Sequence, residues 1–89
     1  MEFQVACIIK RGDHFNPHER IEALGGNMGY KPEEAIIEDI ESRRNRYYVL
    51  VRGYKVYLIV SAHDARKYLK TEADSYSPDN LLALPGCQR

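Results

Sequence analysis

The segment NRYYVLVRGYKVYLIVS, residues 45–61, holds two β-rich runs on either side of Arg52-Gly53. A glycine between alternating runs marks a two-residue hairpin turn. That turn sets Val51 against Tyr54, Val49 against Val56 and Tyr47 against Leu58, an apolar pair at every step. Slipping the register by one residue would bring Arg46 opposite Leu58 on the inner face, so the two-residue loop is the favoured reading. The opposite face then carries Arg46, Tyr48, Leu50 and Arg52 against Lys55, Tyr57 and Ile59.

Working outward from the hairpin, RKYLKT at 66–71 reads as a third strand after the polar turn SAHDA. On the other side, Pro32 opens a helix over about 32–43. Ile36, Ile37 and Ile40 form its buried stripe, and Glu33, Glu34, Glu38 and Glu41 lie outward. Upstream, EFQVACIIKR alternates, with Phe3, Val5, Cys7 and Ile9 on one face of a strand. Between these, NPHERIEALGG has an N-cap at Asn16, Pro17 in the first turn, Glu19 at a capping-box position and Ile21 and Leu24 three apart. It reads as a helix over about 17–24, followed by a GNMGY loop. The tail SYSPDNLLALPG reads as a short capped helix. Ser77 is its N-cap, Pro78 opens it, and Tyr76 is set to staple against Leu81. Leu81, Leu82 and Leu84 close over the core. The expected fold is α+β, one domain spanning 1–89, in the order β-α-α-β-β-β-α. Its sheet is mostly antiparallel with three to four strands, and helices pack on one face.

Composition narrows the function classes. The 89 residues carry 13 Lys+Arg and 13 Asp+Glu, so no overall charge draws the chain to a polyanion. The signs are segregated, however: five acids and no base from Glu33 to Glu41, then eight bases and one acid from Arg43 to Lys70. Neither a secretory leader nor a membrane-length apolar run is evident, which makes the cytoplasm the expected location.

Several motifs suggest chemistry but favour plainer readings. His14, His18 and Glu19 lack a metal-ligand spacing, because Pro17 interrupts helical geometry between the two histidines. Cys7 and Cys87 are expected as unpaired thiols, since the cytosol keeps thiols reduced; pairing them would require the tail to dock beside the first strand. GGNMG precedes Pro32, Glu33 and Glu34, which repel phosphate. His63-Asp64 reads as a polar turn, since adjacent residues in a turn point apart. No catalytic residue, metal ligand or cofactor is expected, and the chain is not expected to be an enzyme.

The strings ACIIKR, NPHERIEALGG, EEAIIEDIE, YYV and KYLKTEADSYSPDNLLALPGC, in this order and spacing, resemble the small bacterial proteins of domain-of-unknown-function family 3892. The tail is the most specific part. Tyr30 departs from the pattern, which would place a Trp there. The resemblance implies an independent one-domain fold and transfers no catalytic or binding residue.

The functional lead is the outer hairpin face: Arg46, Tyr48, Leu50, Arg52, Lys55, Tyr57 and Ile59, with Lys67 or Lys70 alongside. Aromatics on a basic sheet face suit stacked bases and neutralised phosphates of single-stranded nucleic acid. The apolar strip of Leu50 and Ile59 equally suits a protein partner or a homodimer. A covering helix or tail, or a small ligand, are the remaining options. The leading expectation is a small non-enzymatic binding module using this face for protein contact or self-association, with no membrane role.

Overall fold

The hairpin at the centre of the sequence forms in the expected register. The computed structural model describes residues 1–10, 21–63, 65–74 and 79–87. Strands β4 (Arg46–Val51) and β5 (Tyr54–His63) pair with Val51 opposite Tyr54, Val49 opposite Val56 and Tyr48 opposite Tyr57. The turn residues Arg52 and Gly53 have φ of 53° and 84°. Two successive left-handed residues make the turn whose twist matches the strands, and glycine takes the second position without penalty. Strand β6 (Arg66–Thr71) continues the meander as expected.

The α+β expectation is overturned elsewhere. The molecule is predominantly β, built on one six-stranded mixed sheet of order β3-β2-β1-β4-β5-β6. The sheet also holds β1 (Glu2–Lys10), β2 (Ile21–Gly26) and β3 (Gly29–Pro32). The expected helix over 17–24 is a strand from Ile21 onward, and the expected loop at Gly26–Tyr30 is a hairpin turn at Asn27 and Met28 with Tyr30 already in β3. Asn16, Pro17 and Glu19, with the rest of 11–20, lie outside the described residues, as do Asp64, Tyr76, Ser77 and Pro78. Among the described residues only α1 (Glu33–Glu41) is longer than one turn; α2 (Asp79–Leu82) has four residues.

Strand β1 departs from simple alternation. The register slips between Val5 and Cys7, where Ala6 has no opposite residue in β2, and again where Glu22 of β2 is passed over between Ile9 and Lys10. These bulges turn Val5 and Ile8 to the same side, and likewise Ile21 and Leu24. All four are at most 1% exposed. Cys7 and Ile9, expected inward, therefore face the other way.

The first half of β1 runs parallel to β4, with Glu2 opposite Arg46 and Gln4 opposite Tyr48. Its second half meets the tail instead: Ile8 N–H donates to Pro85 O at 3.0 Å, and Cys87 N–H donates to Ile8 O at 2.9 Å. Leu81 is fully buried with Ile36, Tyr47, Val49 and Leu69. The tail thus docks beside the first strand, and Cys7 and Cys87 form a disulfide with Cα atoms 4.9 Å apart. The expected free thiols are corrected by this pairing.

Helix α1 buries Ile36 and Ile37, but also two acids. Glu33, expected outward, is 3% exposed; its carboxylate accepts the Leu69 N–H at 3.4 Å and lies 3.9 Å from Arg66. It thereby occupies a donor on the edge strand β6 that would otherwise invite another chain.

Candidate binding face

Strand periodicity and the β4–β5 register bring five of the seven expected residues into one connected cluster. Tyr48 and Tyr57 are cross-strand neighbours with ring centroids 6.1 Å apart and planes at 66°, the edge-to-face arrangement that ring quadrupoles favour. Arg46 lies with its guanidinium carbon 3.8 Å from the Tyr57 ring centre, and Lys55 Nζ is 4.6 Å from that of Tyr48. Leu50 sits opposite Lys55 and is 48% exposed; Ile59 is 36% exposed. Arg52 stands exposed in the turn. Lys70 lies opposite Ile59 and joins this side. Lys67 does not: it pairs with Glu41 of α1 at 2.8 Å.

An acid that the sequence reading did not place here sits at the centre of the charges. Glu2 enters the face because β1 runs parallel to β4. Its carboxylate accepts from Lys55 at 3.2 Å, from the Tyr57 hydroxyl at 3.1 Å and from Arg46 at 3.5 Å. The hydrogen bonds from Lys55 and then Tyr57 hold the Glu2 carboxyl below the usual carboxylate range. The bond to Glu2 likewise raises the Lys55 ammonium. Glu2 has the parity of Gln4, so it was assignable to one face of its strand. Nothing in the sequence said which strand that face would adjoin.

The cluster can present flat aromatic surface and exposed aliphatic groups inside a ring of mixed charge. Among the described residues the cluster holds no free thiol and no histidine. Beside it, Arg43, Asn45, Arg46, Tyr57, Ile59 and Glu72 contribute to an open hollow of about 400 Å³. A second hollow, about 470 Å³, lies among Ile9, Glu22, Ala23, Tyr30 and Pro32 at the other end of the sheet. The candidate metal residues His14, His18 and Glu19 fall outside the described residues; among those described, no three His, Cys, Asp or Glu side chains converge as a metal site would need. No described helix is long and apolar enough to cross a membrane.

No curated protein and no solved structure matches this chain. A family model described as "Protein of unknown function (DUF3892)" matches residues 4–85. That span takes in β1 from Gln4 onward, the bulged β1–β2 pair, the acidic helix, the Tyr48–Tyr57 hairpin and the tail as far as the residue that accepts the Ile8 hydrogen bond. The chain therefore belongs to the DUF3892 family.

Proposed function

We propose that this protein is a non-enzymatic binding module that docks another protein surface, in the first instance a second copy of itself, through the outer face of the β4–β5 hairpin. The observation that carries this reading is the edge-to-face Tyr48–Tyr57 pair flanked by the exposed side chains Leu50 and Ile59. Tyr and Arg set in an apolar patch are the residues that dominate protein interfaces. The charges support a second copy as partner. Glu2 neutralises part of the charge of Arg46 and Lys55 within each copy, which lowers the repulsion between two copies related by a twofold axis.

The single-stranded nucleic acid alternative is weakened by the same geometry. Base stacking needs open ring faces, whereas Arg46 and Lys55 already lie over Tyr57 and Tyr48. Two of the cations are also paired with Glu2.

Sedimentation across a wide concentration range tests the proposal. Wild type is expected to rise in mass with concentration and to change little with salt. Tyr48→Ala/Tyr57→Ala and, separately, Leu50→Glu should stay monomeric with an unchanged β-type circular dichroism spectrum. A wild type that stays monomeric at millimolar concentration overturns self-association. Binding to mixed-sequence RNA that falls steeply with salt would put nucleic acid in its place.

A further inference from the structure

We propose that the Cys7–Cys87 disulfide is a redox-operated clasp that locks the last described residues of the chain against β1 and releases them on reduction, leaving the rest of the fold in place. The tail is held at two separate points. The first is an anchor independent of redox state. Leu81 is fully buried, the Asn80 side chain donates to Thr71 Oγ1 at 2.9 Å, and Asn80 N–H donates to Asp74 Oδ1 at 3.2 Å. The second is the clasp, consisting of the disulfide and two backbone hydrogen bonds that Ile8 makes with Pro85 and Cys87. Between the two points, Leu84 and Cys87 are half-buried and Pro85 and Gly86 exposed.

Without the covalent link, two backbone hydrogen bonds do not offset the entropy of ordering residues 85–87. The anchor has no such dependence, so release stops at Leu81. Both cysteines are half-buried. In the reaction, a thiolate of a dithiol reductant attacks one sulfur of the pair, forms a mixed disulfide and expels the other as a thiolate. The reductant's second thiol then displaces the first cysteine. The reductant ends as a disulfide; the protein gains two electrons and two protons as two thiols. The vacated edge of β1 leaves the Ile8 N–H and C=O without their partners.

Gly25 is the positioning residue of this clasp. It lies opposite Cys7 in β2, and a methyl group there would stand 2.8 Å from each sulfur and 3.0 Å from a Tyr30 ring carbon. Any side chain at 25 must push the sulfurs aside.

Amide hydrogen exchange on the oxidised and the dithiothreitol-reduced protein reads the release. The amides of Ile8 and Cys87 should exchange at least tenfold faster after reduction, while those of β4 and β5 keep their protection. In a defined dithiol–disulfide buffer, Gly25→Ala should shift the oxidised-to-reduced ratio at least tenfold toward the thiols. In a Cys7→Ser/Cys87→Ser background, the Gly25→Ala change should leave the melting temperature nearly unaltered, which separates its effect on sulfur from its contact with Tyr30. Unchanged exchange at Ile8 and Cys87 overturns the proposal. So does global unfolding on reduction or in the serine variant, which would make the bond a structural staple. Thiols that a mild oxidant fails to join, or an unshifted ratio in Gly25→Ala, overturn it as well.

Discussion

Asp39 illustrates how a side chain inside an acidic run can be structural. It is 6% exposed, and its carboxylate accepts from the Tyr47 hydroxyl at 2.6 Å, Asn45 at 3.2 Å and Lys31 at 3.3 Å. The Tyr47 hydrogen bond does most to hold the Asp39 carboxyl below its ordinary value, against the opposing effect of burial. Burial first, then the bond to Asp39, raises the Tyr47 hydroxyl. The hydrogen bond to Tyr47 leads in raising Lys31. A lowered carboxyl contributes stability that is present above its unfolded value, about pH 4, and is lost as pH falls through the folded value. Raised Tyr and Lys groups contribute stability that is lost as pH climbs beyond about 10. Asp39→Asn is expected to cost about 2–3 kcal/mol at pH 7, from hydrogen bonds made to a charged acceptor. Urea midpoints should show that gap shrinking at pH 3, below the ordinary carboxyl value, where the unfolded chain binds a proton more readily than the folded one. A gap independent of pH would mean that shape, not charge, matters at this position. The sequence held part of the signal: Glu33 lies three and four residues before Ile36 and Ile37, and Asp39 lies three after Ile36, so both fall near the buried stripe. Reading Glu33 as outward, with the other glutamates, obscured it.

At the level of elements, legibility follows how regular each element is. The β4–β5 hairpin has unbroken alternation and a glycine in the turn, so its register was readable to the residue. The β1–β2 pair was not, because its bulges place Val5 and Ile8, and Ile21 and Leu24, three apart on one side. That spacing imitates a helix. With Asn16, Pro17 and Glu19 ahead of it in the sequence, the segment read as a helix, and from Ile21 onward tertiary pairing prevailed. Helix α1 was readable, but its ending was not. The Arg44 N–H donates to Asp39 O at 2.9 Å and the Arg43 N–H to Ile40 O at 3.1 Å, with Arg43 at φ 58°. This is a Schellman cap with a non-glycine residue in the left-handed position. Arg43→Gly should therefore stabilise the protein by about 0.5–1 kcal/mol, the left-handed penalty less the extra freedom glycine gains when unfolded. A thermal midpoint that falls would show that the Arg43 side chain contributes more than its backbone costs.

For the whole molecule, what escaped the sequence is long-range. Parallel pairing of β1 with β4 spans Glu2 to Arg46, and the disulfide spans 80 positions. No local pattern encodes either partner choice. The same long-range closure brought Glu2 onto the outer hairpin face, which explains why the residues of the Tyr48–Tyr57 cluster could be placed from hairpin periodicity while their central acid was missed. The tail is the exception, because its Leu cluster signalled burial wherever it docked. Leu81 bears this out at 0% exposed, whereas Leu82 and Leu84 are only half-buried. Leu81 sits on the anchor side of the tail, apart from the clasp at Cys87. Its truncation to Ala should leave a cavity among Ile36, Tyr47 and Leu69 and cost about 2–5 kcal/mol. That is a large share of the stability of a domain this size. Because the anchor does not depend on the sulfurs, the loss should be the same, within about 0.5 kcal/mol, in oxidised and reduced protein. Denaturant melts of both forms decide the matter. A loss confined to the oxidised form would mean that Leu81 leaves the core when the disulfide opens, and that anchor and clasp are one device.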